Sequence, residues 1–174
     1  LLILSDDHAG WCLGCAGNPV VQTPNIDHLA REGIRFANAL TPCPVCSPAR
    51  ASLWTGTIPS WHGVHDHLNH CGHPGIGEQA TLADALKSVG YRTAQIGKWH
   101  CHTSEDNRPR RGFDRWFSQY EGTRARFGRQ PFWDQGSRVE HHGYQAPLIT
   151  REAAAFLQKA AQDGTPFFCA VGYT

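Results

Sequence analysis

The 174-residue sequence predicts an α/β fold with a mostly parallel sheet flanked by helices, and three observations carry that prediction. The chain opens on an apolar run, Leu1-Leu2-Ile3-Leu4, of the kind a buried parallel strand shows. Two later runs, 91–97 (YRTAQIG) and 166–172 (PFFCAVG), have the same character. Between them lie segments with helical periodicity and capping residues at their ends, which is the alternation expected of parallel strands joined by helices.

Taken in order, the first strand ends at Ser5-Asp6-Asp7-His8, and a glycine-rich loop follows. Thr23-Pro24 supplies an N-cap and a proline at the first helical position; Ile26, Leu29 and Ala30 form the apolar stripe, and Gly33 closes the helix. Residues 34–40 (IRFANAL) read as a strand or extended segment. In CPVCSPARASLWTG, residues 43–56, Ser47 reads as N-cap, Pro48 as the first helical residue and Gly56 as the stop. Cys46 then falls just outside the positive end of that helix. TLADALKSVG, residues 81–90, is a capped helix with Leu82, Ala85, Leu86 and Val89 on one face. Residues 104–146, rich in Arg, Gly and aromatics without clear periodicity, read as long loops. Thr150 to Gln162 is a helix with Ala153, Phe156, Leu157 and Ala160 as its apolar face, leading into the last strand.

The length suits one domain, and the apolar share is enough to bury a core. A net charge of +1 gives no general attraction to nucleic acid or anionic membranes, and no apolar run approaches a membrane span. The lack of methionine, and a strand already under way at Leu1, predict a chain cut at both ends. Seven cysteines is an odd number, so a complete disulfide framework is not expected.

In parallel sheets, ligands bind beyond the carboxyl ends of the strands, where Asp6-Asp7 and Lys98-x-His100 fall. Adjacent carboxylates are costly unless neutralised, and a hard divalent cation does this well; the plainer reading is a solvated turn. A thiol at a helix N-terminus has a depressed pKa, and Arg50, one turn on, offers a planar fork of donors to an anion. Singly, each of Cys46, Arg50, Lys98 and His100 has an ordinary structural reading; together they form an anion cradle with a nucleophile in it. A rival reading is zinc: CLGC (12–15) and CPVC (43–46) are two C-x-x-C pairs 27 residues apart, and His62, His65, His67, His70 and His73 form a second cluster of metal-ligand types. The histidine cluster reads chiefly as a polar loop lining the cleft.

Cys46-Ser47-Pro48-Ala49-Arg50, continued through Thr55-Gly56, resembles the signature of the type I sulfatases of the alkaline phosphatase superfamily. SDDH after the first strand, LGCAGN at 13–18 and GKWH at 97–100 agree with it in order. The resemblance implies an alkaline phosphatase-like fold, truncated here, with residues 1–174 as the N-terminal part of the catalytic domain and a C-terminal subdomain lying elsewhere. It implies that Cys46 is converted by a formylglycine-generating enzyme to an aldehyde, whose hydrate attacks sulfur and later expels sulfate. It further implies that Asp6, Asp7 and the modified Cys46 face one Ca2+ ion, that Arg50 steadies the formylglycine, that Lys98 binds sulfate oxygens and that His100 assists proton transfers. The remaining metal ligands are expected beyond Thr174, so this chain alone is expected to be inactive.

The function so implied is hydrolysis of a sulfuric ester, with a sulfated carbohydrate or aryl sulfate as partner and no nucleic acid. Arg108, Arg110, Arg111, Arg115, Arg124, Arg126 and Arg129 could face an anionic polysaccharide, although a solvated loop is their default reading. Two alternatives stay open: a phosphonate monoester or phosphodiester hydrolase with the same modified cysteine, and a zinc-stabilised binding module. The family tendency favours export, whether periplasmic, secreted or lysosomal; the residues leave the compartment open.

Overall fold

The computed structural model describes residues 1–68, 74–102, 108–119 and 127–174. Its contacts divide into two compact units, one formed by residues 1–6 and 42–174, the other by residues 7–41.

The larger unit is built on a six-stranded sheet: β1 (Leu2–Ser5), β2 (Arg92–Gly97), β3 (Arg115–Gln119), β4 (Arg129–Asp134), β5 (Ser137–His142) and β6 (Phe167–Tyr173), in the order β1-β6-β2-β3-β4-β5. The first four of that order are mutually parallel, and β4 and β5 are antiparallel. The mostly parallel sheet is thus as expected, with a hairpin added at one side. Part of 104–146, expected as loop, forms β3, β4 and β5; residues 104–107 and 120–126 lie outside the described residues. The strands were hidden because cation and aromatic alternate there without a clean apolar face: Trp116, Phe117 and Phe132 are buried, yet Arg115 pairs with Asp134 and with Glu152 at 2.9 Å. β1 departs from the expectation of a buried strand. It is the sheet edge, and Leu1 and Ile3 are 61% and 56% exposed.

Side chains alternate across a strand, so neighbouring residues serve opposite faces. Trp116 and Ala170 join one core with Ala51 and Trp54, whereas Phe117, Cys169 and Val171 join another with Leu148, Ile149, Ala153, Phe156 and Ala94. Helices α2 (Cys46–Thr55), α3 (Pro59–His62) and α4 (Leu82–Ser88), and α5 (Gln145–Asp163), supply these cores. Thr81 caps α4 in a reciprocal box with Asp84, as the sequence indicates. The buried residue of α4 is Ala83, while Leu82 and Val89 are exposed, so the expected apolar face is not the one that packs. α5 starts five residues earlier than expected, at Gln145, and buries Leu148 and Ile149 besides Ala153, Phe156 and Ala160.

The smaller unit holds α1 (Pro24–Glu32) and a 3-10 turn at Gly14–Ala16. Asp27 of α1 accepts the Cys15 N–H at 2.7 Å and the Thr23 hydroxyl at 2.9 Å, and Thr23 in turn accepts the Gly14 N–H. Thr23 therefore braces the turn and does not cap α1 through its side chain. Ile26 and Leu29 are exposed, and residues 34–40 form no strand. Asp27 and Thr23 hold this unit by polar contacts that a search for apolar periodicity does not weigh.

In the larger unit, β2 and β6 come close together at Gly97 and Gly172, which are register partners. Gly97 has φ +89°, and a Cβ there would lie 2.1 Å from the Gly172 carbonyl oxygen. Gly97→Ala is expected to lower unfolding free energy by at least about 2 kcal/mol, through strain and backbone overlap together, read as a fall in urea midpoint at unchanged slope.

Candidate active site

Helix α2 begins at Cys46, with Val45 as its N-cap. The expected boundary is corrected by two residues, because the buried Ser47 hydroxyl does not cap; it accepts the Leu68 N–H at 3.4 Å. Pro48 still lies in the first turn, where backbone N–H groups have no helical partner to lose. Cys46 is therefore inside the positive end of the helix, half-buried. The bond to Leu68 brings the adjacent His67 to the same place. The ligand atoms of Cys46, His67 and His100 all lie within 4.8 Å of one another, and the two imidazole rings meet edge to face with centroids 4.4 Å apart.

One turn further along α2, Arg50 is buried. Its Nη1 donates to the Lys98 carbonyl at 2.8 Å, and its Nη2 lies 3.7 Å from Asp6 Oδ1. The Lys98 backbone N–H bonds the Gly172 carbonyl at 2.9 Å, so the chain past β2 stays aligned on β6. Gln95 also donates to the Lys98 carbonyl, at 3.1 Å. Lys98 Nζ then reaches Asp6 Oδ2 at 2.5 Å, at the end of β1. Burial works to raise the Asp6 pKa, but the Lys98 ammonium and the Arg50 guanidinium outweigh it and hold the carboxyl below the usual carboxylate range.

Trp99 points into the core, packed 5.0 Å from Trp54 and bonded through its indole N–H to His102 Nδ1 at 2.9 Å. His100 consequently turns the other way, with φ +54°, a left-handed conformation that L-residues seldom adopt. Burial, aided by the charges of Lys98, His67 and Arg50 and opposed by Asp6, lowers the His100 pKa to about 3. At neutral pH the imidazole is uncharged. The cluster then carries two cations, Arg50 and Lys98, against one carboxylate, a balance that suits an anion.

Of the residues singled out in the sequence, Asp6, Cys46, Arg50, Lys98 and His100 thus belong to the larger unit and share its β1, α2 and post-β2 positions. Asp7 opens the smaller unit, exposed and with φ +51°. His67 is the member of the site that motif chemistry does not single out; its signal is the histidine-rich stretch after α2. Of that stretch, His62 instead bonds Ser52 Oγ at 3.0 Å and accepts the Val64 N–H, bracing α2 against α3, and His70 and His73 lie outside the described residues. Among the arginines, Arg111 pairs with Asp84 at 3.1 Å and Arg129 with Glu140, while Arg124 and Arg126 lie outside the described residues. Within the described residues, no helix is long and apolar enough to cross a membrane.

The family model described as Sulfatase matches residues 1–173. The chain belongs to the sulfatase family. An ulvan-active sulfatase from Formosa agariphila is 39% identical over 97% of this chain and 33% of its own length. An N-acetylglucosamine-6-O-sulfatase from Bacteroides thetaiotaomicron is 33% identical over 97% of this chain and 28% of its own. The structure of BT4656 in complex with its substrate D-glucosamine-2-N,6-O-disulfate superposes with a TM-score of 0.86 at 31% identity, covering 98% of this chain and 33% of that one. The chain thus spans about a third of the length of these sulfatases. Membership implies a formylglycine made from the signature cysteine and a metal ion. The donor chemistry at Asp6, an ionised carboxylate at a strand end, is of the type a hard cation takes; here Lys98 and Arg50 stand where its positive charge would.

A depressed His100 pKa has a consequence for stability. Between about pH 6.5 and about 3 the unfolded chain takes up a proton at this position that the folded chain refuses. The contribution is intact above that window and is lost as pH falls through it. His100→Gln is expected to flatten the decline of unfolding free energy on acidification from about pH 7 to about pH 4, followed by urea unfolding. An unchanged slope would show that folded His100 protonates normally.

Proposed function

We propose that the chain is the N-terminal part of the catalytic domain of a sulfatase that cleaves a sulfuric ester, with a sulfated carbohydrate as the preferred class of substrate and aryl sulfates as the other. The observation that carries the reading is the convergence of buried Arg50 and half-buried Lys98 on Asp6, beside Cys46 and His100, in a chain matched along its length by the sulfatase family model. The sugar preference rests on the relatives, one named as ulvan-active and one as acting on N-acetylglucosamine 6-O-sulfate.

In this reading Cys46 is the residue converted to formylglycine, which when formed supplies an oxygen nucleophile and, through its aldehyde, a route for releasing sulfate without an external water attacking the sulfur. Asp6 and Asp7 would hold Ca2+, a cation suited to all-oxygen ligands, which supplies Lewis-acid polarisation of sulfate oxygens when bound. The chain's own cations do the rest of the electrostatic work. Lys98 binds a sulfate oxygen and stabilises charge as the S–O bond breaks; Arg50 holds the nucleophile's surroundings fixed through the Lys98 carbonyl. Neutral His100 presents a lone pair that accepts a hydrogen bond from a hydroxyl, which a charged imidazole would not do. The alcohol leaves with the proton that the attacking hydroxyl gives up, and sulfate is the second product.

The test uses the full-length enzyme made with a formylglycine-generating enzyme. The peptide spanning Cys46 should carry an aldehyde in place of the thiol, and sulfated sugars should be turned over well above phosphate diesters. A diester preference would instead establish the phosphonate or phosphodiester reading. Cys46→Ala should abolish turnover, and Lys98→Ala should lower kcat/KM by about 10²–10³-fold. Residues 1–174 alone, even when modified, should release no sulfate.

A further inference from the structure

We propose that the form of the protein still carrying Cys46 as a thiol has a zinc site made of Cys46 Sγ and the imidazoles of His67 and His100, a site distinct from the hard-cation position at Asp6. The three ligand atoms lie within 4.8 Å of one another. Around a zinc ion bound at about 2.0–2.3 Å, tetrahedral donors stand roughly 3.3–3.8 Å apart, so a contraction of about 1 Å closes the set. The two imidazole rings are inclined at 72° with centroids 4.4 Å apart, so they are not stacked face to face.

The backbone under each donor is fixed. Cys46 is held by the first turn of α2, His67 by the Leu68 N–H on Ser47, and His100 by the buried Trp99 beside it. One sulfur and two nitrogens select zinc over calcium or magnesium, which prefer oxygen. On binding, the Cys46 S–H bond is lost, its proton goes to solvent and an S–Zn bond forms, with no change of oxidation state. The thiolate and Asp6 then balance Arg50 and Lys98, which removes part of the repulsion a dication would otherwise meet. Three protein donors leave a fourth position for water.

A consequence follows for maturation, and it rests on the reading of Cys46 as the modified residue. Conversion to formylglycine replaces the sulfur and abolishes the soft site; zinc, while bound, masks the thiol from conversion. The site exists only before maturation.

The experiment titrates the reduced, metal-free chain, made without a formylglycine-generating enzyme, with Co2+ and then displaces the cobalt with Zn2+. Expected is one equivalent with thiolate-to-cobalt charge-transfer absorption, absent in Cys46→Ser and weakened by about tenfold or more in His67→Ala and in His100→Ala. Cys43→Ser, and the double variant Cys12→Ser with Cys15→Ser, should bind as the parent does. Because a histidine variant can fail to fold, the parent chain is also alkylated with iodoacetamide: zinc, but not calcium, should slow labelling of Cys46 relative to Cys43. The proposal is overturned by a charge-transfer band that persists in Cys46→Ser or vanishes in the Cys12 and Cys15 double variant. Equal labelling of Cys46 with and without zinc would overturn it as well. Both readouts are independent of whether the mature enzyme hydrolyses sulfate, so failure here and failure of the functional reading are told apart by the aldehyde mass.

Discussion

The arrangement of charges at the carboxyl end of the sheet depends on the close approach of two backbones, β2 and β6, at Gly97 and Gly172. A Cβ on Gly172 would stand 2.5 Å from the Lys98 carbonyl oxygen and 3.3 Å from Arg50 Nη1, so the space that a side chain would take is the space in which Arg50 binds Lys98. That contact is made to a main-chain oxygen. It leaves the Lys98 ammonium at liberty to meet Asp6 and ties α2, which carries Cys46, to the strand end that carries His100. Backbone geometry, more than any single side chain, therefore sets where the cations stand.

The aromatic core enforces the second half of the arrangement. Trp99 is fully buried among Trp54, Phe113 and Trp116, and burying a large apolar side chain is worth about 1.5–3 kcal/mol or more. A left-handed residue costs about 1–2 kcal/mol, so the burial of Trp99 is sufficient to offset the strained His100 that follows it. Lys98 and His100 then flank a residue that points away from both. Their spacing of two residues, which in a regular strand puts side chains on one face, is kept here by a turn with a strained member.

How much of this was legible in the sequence follows from the kind of force involved. β1, β2 and β6 were readable as strands because they are short apolar runs, and α4 because Thr81 and Asp84 write the capping box into local sequence. Strands β3, β4 and β5 were not, since Arg115 and Arg129 make their contribution by pairing with carboxylates on other elements, Glu152 and Glu140. In the site, Asp6, Cys46, Arg50, Lys98 and His100 were named from motif chemistry. His67 was seen only as one of five clustered histidines, because its selection depends on a long-range bond between Ser47 and Leu68 that no local pattern encodes. The early start of α2 escaped for the same reason: Ser47 has the chemistry of an N-cap and spends its oxygen elsewhere.

The chemical state of residue 46 sets the charge of the whole cleft. With an uncharged oxygen nucleophile there, Arg50 and Lys98 stand against Asp6 alone and one positive charge remains, in surroundings where burial strengthens its field. A zinc-bound thiolate at the same position adds one net positive charge there and ties up the nucleophile. The depressed His100 pKa fits the former state, because the imidazole adds no cation of its own and so leaves the field to groups whose charge does not vary near neutral pH. In the proposed enzyme, then, replacing sulfur by a neutral oxygen group does more than change the nucleophile: it removes the sulfur donor of the soft-cation site and leaves a cleft charged to receive a sulfate ester.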